Sequence, residues 1–511
     1  MSDGHWKATM SEFATFGDPE RFEIAVRWTS DGEPRARRPS GHGWSVGDIK
    51  ITIANQVLTR SRRSGAQQSH VGWYLAPFFD WIASNWAALL HEEDFAWNER
   101  SGAPAVVACH RALDKWIGAR DSDGRVRYKE AQAWYYRHAI RSAAEGGLFP
   151  DLFVRRFLDD IELSWSAEPP LFAPDGFSFM AEPGVARLPI EDVASPLWEV
   201  LAWVASEPPK LDDEDRASWQ GLSTKIECIP TLSEITLDRA YVDERILELV
   251  RTSLDRIGHL ELIADDVRAS QPFVREFSPA VAMFGGVSPN LQRNDVDALC
   301  HLLVDRASGR DGARLASLVA SHKESPLGIP HEDGYSFAEE FLTDVGLPGD
   351  KDWIDIRAVV EELGIDVLER ALDTDSIRGV ALAGNDFGPT ILINTTSPFN
   401  ASEYGKRFTI AHELCHIIFD RTRARRVTHV SGQWVAPGIE RRANAFAAYI
   451  LMPRALVVRH WRSQNYTSHA EFSALANKMH VNETALIEHL YNIELIDEIA
   501  REHLRKTFRL N

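Results

Sequence analysis

At 511 residues the chain is too long for one compact core, and two or three domains are expected. It is 44% hydrophobic and 26% charged with no run of about 18 apolar residues, which argues against a membrane-spanning helix. A net charge of −19 makes it a poor partner for a phosphate backbone unless a local patch overrides the total.

The N-terminal segment MSDGHWKATMSEF has no basic stretch followed by an apolar one, so no secretory signal is expected. The first 60 residues predict strands: FEIAVRW at 22–28 and DIKITIANQVL at 48–58 are rich in β-branched and aromatic residues, and Ile49, Ile51 and Ile53 alternate with Lys50, Thr52 and Ala54. The segment RRPSGHG between them reads as a turn or loop. An aromatic stretch at 71–97 predicts a helix from about Pro77, with Phe78, Trp81, Ile82 and Leu89 on one face as core or as a ligand pocket. Helices are expected to continue to about residue 165. The proline- and glycine-rich segment 166–190 reads as a long loop or linker. From 191 to 323 the stretches PLWEVLAWVAS, VDERILELVRTSLDRI, NDVDALCHLLVDRA and GARLASLVASH carry helical spacing. No repeat and no phosphate-binding loop is present, so this part of the chain points to no activity.

A second boundary falls at KESPLGIPHEDG, 323–334. Beyond it a helix in YSFAEEFLTDV stops at Gly346, and one in DWIDIRAVVEEL stops at Gly364. Short strands follow in IDVLER, IRGVALAG and PTILIN, the last two separated by the turn-forming NDFG. The expected organisation is a mixed strand and helix domain at 1–187, a mainly helical domain at 188–323 and a C-terminal domain at 324–511: an α+β, multidomain chain.

The four cysteines, Cys109, Cys228, Cys300 and Cys415, form no C-x-x-C pair, which fits a reducing cytoplasm and not a disulfide scaffold. Three basic runs, RARR at 35–38, RSRR at 60–63 and RTRARR at 421–426, read as solvated surface; the third follows the motif described next and is also placed to guide an acidic substrate.

The motif is RFTIAHELCHIIFD, Arg407 to Asp420. On a helix His412 and His416 lie about 40° apart around the axis and face one spot, with Glu413 roughly 100° away at its edge. Ala411, Leu414, Cys415 and Ile418 form an apolar stripe, so Cys415 is a packing residue. Two dozen residues on, IERRANAFAAYILMPRAL at 439–456 predicts a helix ended by Pro453, packed through Ala443, Phe446, Ala447 and Ile450. Its small residues permit a close approach that brings Glu440 to a metal held by the two histidines, with Asn444 one turn on as a supporting partner. The plainer reading leaves Glu440 as an acid at a helix N-terminus.

Together RFTIAHELCH and E-x-x-A-N-x-F-A-x-x-I-L-M-P resemble the ImmA/IrrE-type zinc metallo-endopeptidase family. The likeness runs back to about residue 335 through ELGIDV, Arg378-Gly379 and ILIN. It runs forward through FSALANKMHVNETALIEHLYNIELI, 472–496. The resemblance implies a zincin-like metallopeptidase domain in which His412, His416 and Glu440 hold one zinc ion and Glu413 is the catalytic carboxylate. Cys415 stands where such motifs often carry glycine. Two imidazoles and a carboxylate suit zinc better than manganese or iron. A second oxyanion donor is not named by the sequence: Tyr449 lies about 180° around the helix from Glu440, leaving His429 and Tyr404. The tail LANKMHVNETALIEHL has helix-turn-helix spacing, but its second helix carries no Arg or Lys, so packing is expected and not direct nucleic-acid binding. The resemblance implies regulatory proteolysis in bacteria, with a repressor- or antitoxin-like protein as substrate, after stress, mobile-element induction or phage infection. The competing reading is a zinc-stabilised binding or sensor module without proteolysis.

Overall fold

The computed structural model describes residues 12–29, 42–63, 65–92, 103–143, 147–157, 160–208, 211, 213–231, 238–239, 242–263, 278–284, 291–321, 329–346, 352–384, 386–420, 429–431, 437–461 and 469–507. The basic runs at 35–38 and 421–426 lie outside the described residues. The chain is mixed helix and sheet and divides into two compact units, Met1–Tyr241 with Asp266–Glu276, and Val242–Asp265 with Phe277–Asn511. The α+β, multidomain expectation holds. Among the described residues no helix is long and apolar enough to cross a membrane.

The first unit opens with β1 (Ala14–Gly17), β2 (Phe22–Trp28), β3 (Val46–Ile53), β4 (Gln56–Val57), β5 (Ser61–Arg63), β6 (Ala66–Gln68) and β7 (Val71–Tyr74). β1 to β4 pair in chain order as antiparallel neighbours, and β7 joins β3. The run at 48–58 is therefore two strands. Ala54 and Asn55 take positive φ, 48° and 65°, and turn the chain so that Ile53 faces Gln56. Next come α1 (Ala76–Ser84) and α2 (Trp86–His91), broken at Asn85, whose amide nitrogen donates to the Trp81 carbonyl. Phe78, Trp81, Ile82 and Leu89 are all buried in the core, so the aromatic cluster packs.

After α3 (Ala105–Trp116) and α4 (Ser122–His138), the expectation of helix to about 165 fails. β8 (Asp151–Phe157) and β9 (Asp160–Ser166) form an antiparallel pair. Every residue of β8 is buried, so no alternation marked it as a strand. Its charges are answered inside: the buried Glu162 accepts from the Ala105 amide and from Arg155. Part of the expected linker is also strand. β10 (Ser178–Phe179) pairs with β5, and β11 (Gly184–Pro189) pairs with β9 along its length. α5 (Ile190–Ser206) and α6 (Asp213–Cys228) follow, and α5 buries Val193, Leu197, Val200 and Val204 in the same core as β2 and β3.

The second unit holds α7 (Glu244–Ile257), α8 (Pro279–Phe284), α9 (Arg293–Arg306), α10 (Ala313–Ser321), α11 (Pro330–Val345) and α12 (Ile356–Glu362), then β12 (Asp366–Arg370), β13 (Gly379–Gly384) and β14 (Phe387–Asn394). It closes with α13 (Glu403–Cys415), β15 (His429–Ser431), α14 (Pro437–Leu451), α15 (Arg454–Trp461), α16 (His469–Lys478), α17 (Glu483–Asn492) and α18 (Glu498–Thr507). Gly346 and Gly364 have positive φ, 67° and 76°, as helix stops do. The sheet order is β12-β14-β13-β15, with β12 parallel to β14 and the other pairs antiparallel. Ile391 and Ile393 of the sheet share one core with Ile410 and Leu414 of α13 and Phe446 and Ile450 of α14. Helices ahead of residue 324 belong to this unit as well. Leu315 and Leu318 of α10 enter the same core, and the buried Asp295 of α9 accepts from the Asp373 and Thr374 amides.

Candidate metal centre

Ser402 caps α13, its side chain accepting from the Gly405 amide, and the helix then runs buried from Thr409 to Cys415. Its last turn, His416–Asp420, widens into a π-helix, a local distortion that recurs at functional sites. Arg407 fastens the start of the motif. Its guanidinium donates to the Ile354 and His480 carbonyls and lies over the Trp353 ring. Burial pulls its pKa down to about 10. Cys415 is fully buried in the packing stripe, and burial pushes its thiol up to about 12.

The two histidines and Glu440, in the first turn of α14, converge. One ligand atom from each lies within 4.8 Å of the others. The His412 and His416 Nε2 atoms are 3.1 Å apart, and the Glu440 oxygens stand 3.4 Å from the first and 3.8 Å from the second. Four-coordinate zinc with bonds of about 2.1 Å separates its donor atoms by about 3.4 Å, so this triangle has the size of one face of such a site. The far ring nitrogens are both engaged by acceptors. His412 Nδ1 donates to Asn444 Oδ1 at 3.1 Å, and His416 Nδ1 donates to Asp420 Oδ2 at 2.7 Å. Each ring thus turns an Nε2 lone pair toward the other and toward a carboxylate. Lone pairs facing at this distance repel unless a cation stands between them, so the donor set fits a divalent metal ion. Burial opposes protonation of His412, but the Glu440 carboxylate outweighs it and lifts the imidazole above its ordinary pKa, with Glu413 adding and Arg378 opposing.

Asn444 is the supporting partner the sequence suggested. Asp420 and Arg442 were missed. Asp420 joins His416 through one oxygen and the buried Arg442 of α14 through the other, tying together the helix that carries the histidines and the helix that carries Glu440. Their signal was the i,i+4 step from His416 to Asp420, legible only with the π turn in hand.

Glu413 is fully buried beside this triangle. A Cβ on Gly379, the first residue of β13, would meet Glu413 Oε1 at 2.5 Å and Thr409 Cγ2 at 2.7 Å, so only glycine leaves room for the carboxylate. Tyr449 points its hydroxyl to Glu339, in keeping with its rejection. The Tyr404 hydroxyl donates to Asn477 Oδ1 at 2.9 Å, and the His429 side chain lies outside the described residues. In the tail, α17 buries Leu486, Ile487 and Leu490 in the core.

No curated protein and no solved structure matches the chain. Residues 360–491, which span the sheet, α13, α14 and most of the tail, match the peptidase family model described as the IrrE N-terminal-like domain, so the C-terminal region is a metallopeptidase-type domain of the ImmA/IrrE family.

Proposed function

We propose that the chain is a zinc-dependent, site-specific endopeptidase that cuts a protein partner in the cytoplasm, a regulator of the repressor or antitoxin type, in bacterial stress response, mobile-element control or phage defence. The observation that carries the reading is the triangle of His412, His416 and Glu440 donor atoms with both far ring nitrogens locked by acceptors. His412, His416 and Glu440 would hold the ion. A zinc ion held there would supply Lewis acidity to an attacking water and to a peptide carbonyl. Glu413, beside the ligands and held in the space Gly379 leaves, takes a proton from the attacking water and returns it to the leaving amine.

Glu413→Gln tests this. The variant should bind one zinc ion per chain and melt as the wild type does, while cleavage falls by about 10²–10⁴-fold. Co-expression with the products of neighbouring genes, wild type against variant, followed by mass spectrometry of new termini, would name the substrate. Identical termini in both would instead favour a zinc-stabilised binding module.

A further inference from the structure

Arg378 stands one residue before the glycine that accommodates the Glu413 carboxylate. Its backbone is fixed from two sides. The Arg378 carbonyl accepts from the Asn394 amide at 3.0 Å and from Asn400 Nδ2 at 2.8 Å, and both asparagines are buried. Asn400 in turn takes the Thr409 hydroxyl at 2.7 Å, on the helix that carries the histidines. The position of Arg378 is therefore set by the same polar network that borders the catalytic carboxylate.

The side chain is exposed, and its guanidinium carbon lies 4.6 Å from the centre of the Phe399 ring. Such stacking steadies the stem and plane while leaving the N–H edge open to a planar anion. Nearby cations are already committed. Lys406 pairs with Glu369 and Glu403, Arg407 serves backbone carbonyls, and Arg442 serves Asp420. Among the described residues Arg378 makes no ion pair, in a chain with 75 acidic and 56 basic residues.

We infer that Arg378 is a specificity-determining residue, its guanidinium receiving the carboxylate of an Asp or Glu side chain next to the bond that is cut. The inference rests on the peptidase reading above. An exposed guanidinium held over Phe399, one residue from the glycine that lies against Glu413, discriminates by charge complementarity, rewarding an acid and opposing a lysine.

The test uses the full-length, zinc-loaded chain and peptide hydroxamates carrying Asp, Ser or Lys beside the zinc-binding group, with affinity read by fluorescence anisotropy. The wild type should bind the Asp ligand about tenfold more tightly than the Ser ligand, and less so at high salt. Arg378→Gln should erase the preference and Arg378→Glu should turn it toward Lys, with zinc content by metal analysis still one per chain. Equal affinity for Asp and Ser in the wild type would overturn the inference. So would a preference that survives Arg378→Gln, or a uniform loss across all three ligands, which marks a contact with the backbone and not with a side chain. Failure of the zinc-loaded wild type to bind any hydroxamate would overturn the peptidase reading and this inference with it.

Discussion

At the scale of single residues, the proposed ligands and their supports should have separable effects. Asp420→Asn leaves an amide beside His416 and weakens both the hold on the Nδ1 proton and the tie to Arg442. Zinc affinity should fall by about 10–100-fold, measured by chelator competition, with the three ligands intact. Gly379→Ala works the other way. The new Cβ would stand 2.5 Å from Glu413 Oε1, so the carboxylate must shift while the ligands stay. Zinc content should be unchanged and turnover of a peptide substrate should drop by about 10²-fold. The convergence of His412, His416 and Glu440 was legible in the sequence because helical spacing and a helix start set their positions. Asp420 and Arg442 were not, because a carboxylate and a guanidinium in two separate segments look like ordinary solvated charges until folding buries them against each other.

At the scale of elements, the region from 330 to 394 was readable because Gly346 and Gly364, at positive φ, stop its two helices and its strands carry apolar runs bounded by turns. The β8–β9 hairpin was not. A strand covered on both faces loses the period-two signal, and Arg155, Arg156 and Glu162 sit buried in it where charge ordinarily means surface. The tail helix α17 carries a further consequence. His489 is buried and its Nε2 donates to the Met452 carbonyl at 2.8 Å, just past the end of α14. Burial dominates over that bond and holds its pKa down at about 4 against an ordinary 6.5. Between these values the unfolded chain binds the proton and the folded one does not, so stability rises with pH. Acidification from pH 6.5 to 4 should therefore cost about 3 kcal/mol through this one group. His489→Gln should flatten that part of the dependence of the melting temperature on pH.

At the scale of the whole molecule, the break between units does not follow the composition change at 323–334. α10 places Leu315 and Leu318 in the core of the second unit, and α9 holds the loop at Asp373–Thr374 through Asp295. A fragment starting at residue 324 should melt well below one starting at Val242, since each lost leucine costs about 2–5 kcal/mol, and circular dichroism would show it. The −19 charge and the acidic tail helix leave duplex DNA an unfavourable partner and direct attention to protein targets. The Arg442–Asp420–His416 chain joins α14 to α13 behind the His416 ring, on the side away from where the ion would lie. Metal uptake should then tighten the packing of those two helices, because an ion would supply the charge that three crowded bases lack. In a cell starved of zinc, the same polypeptide would be a looser body that other proteases attack first, so its abundance would report on the supply of its own ion.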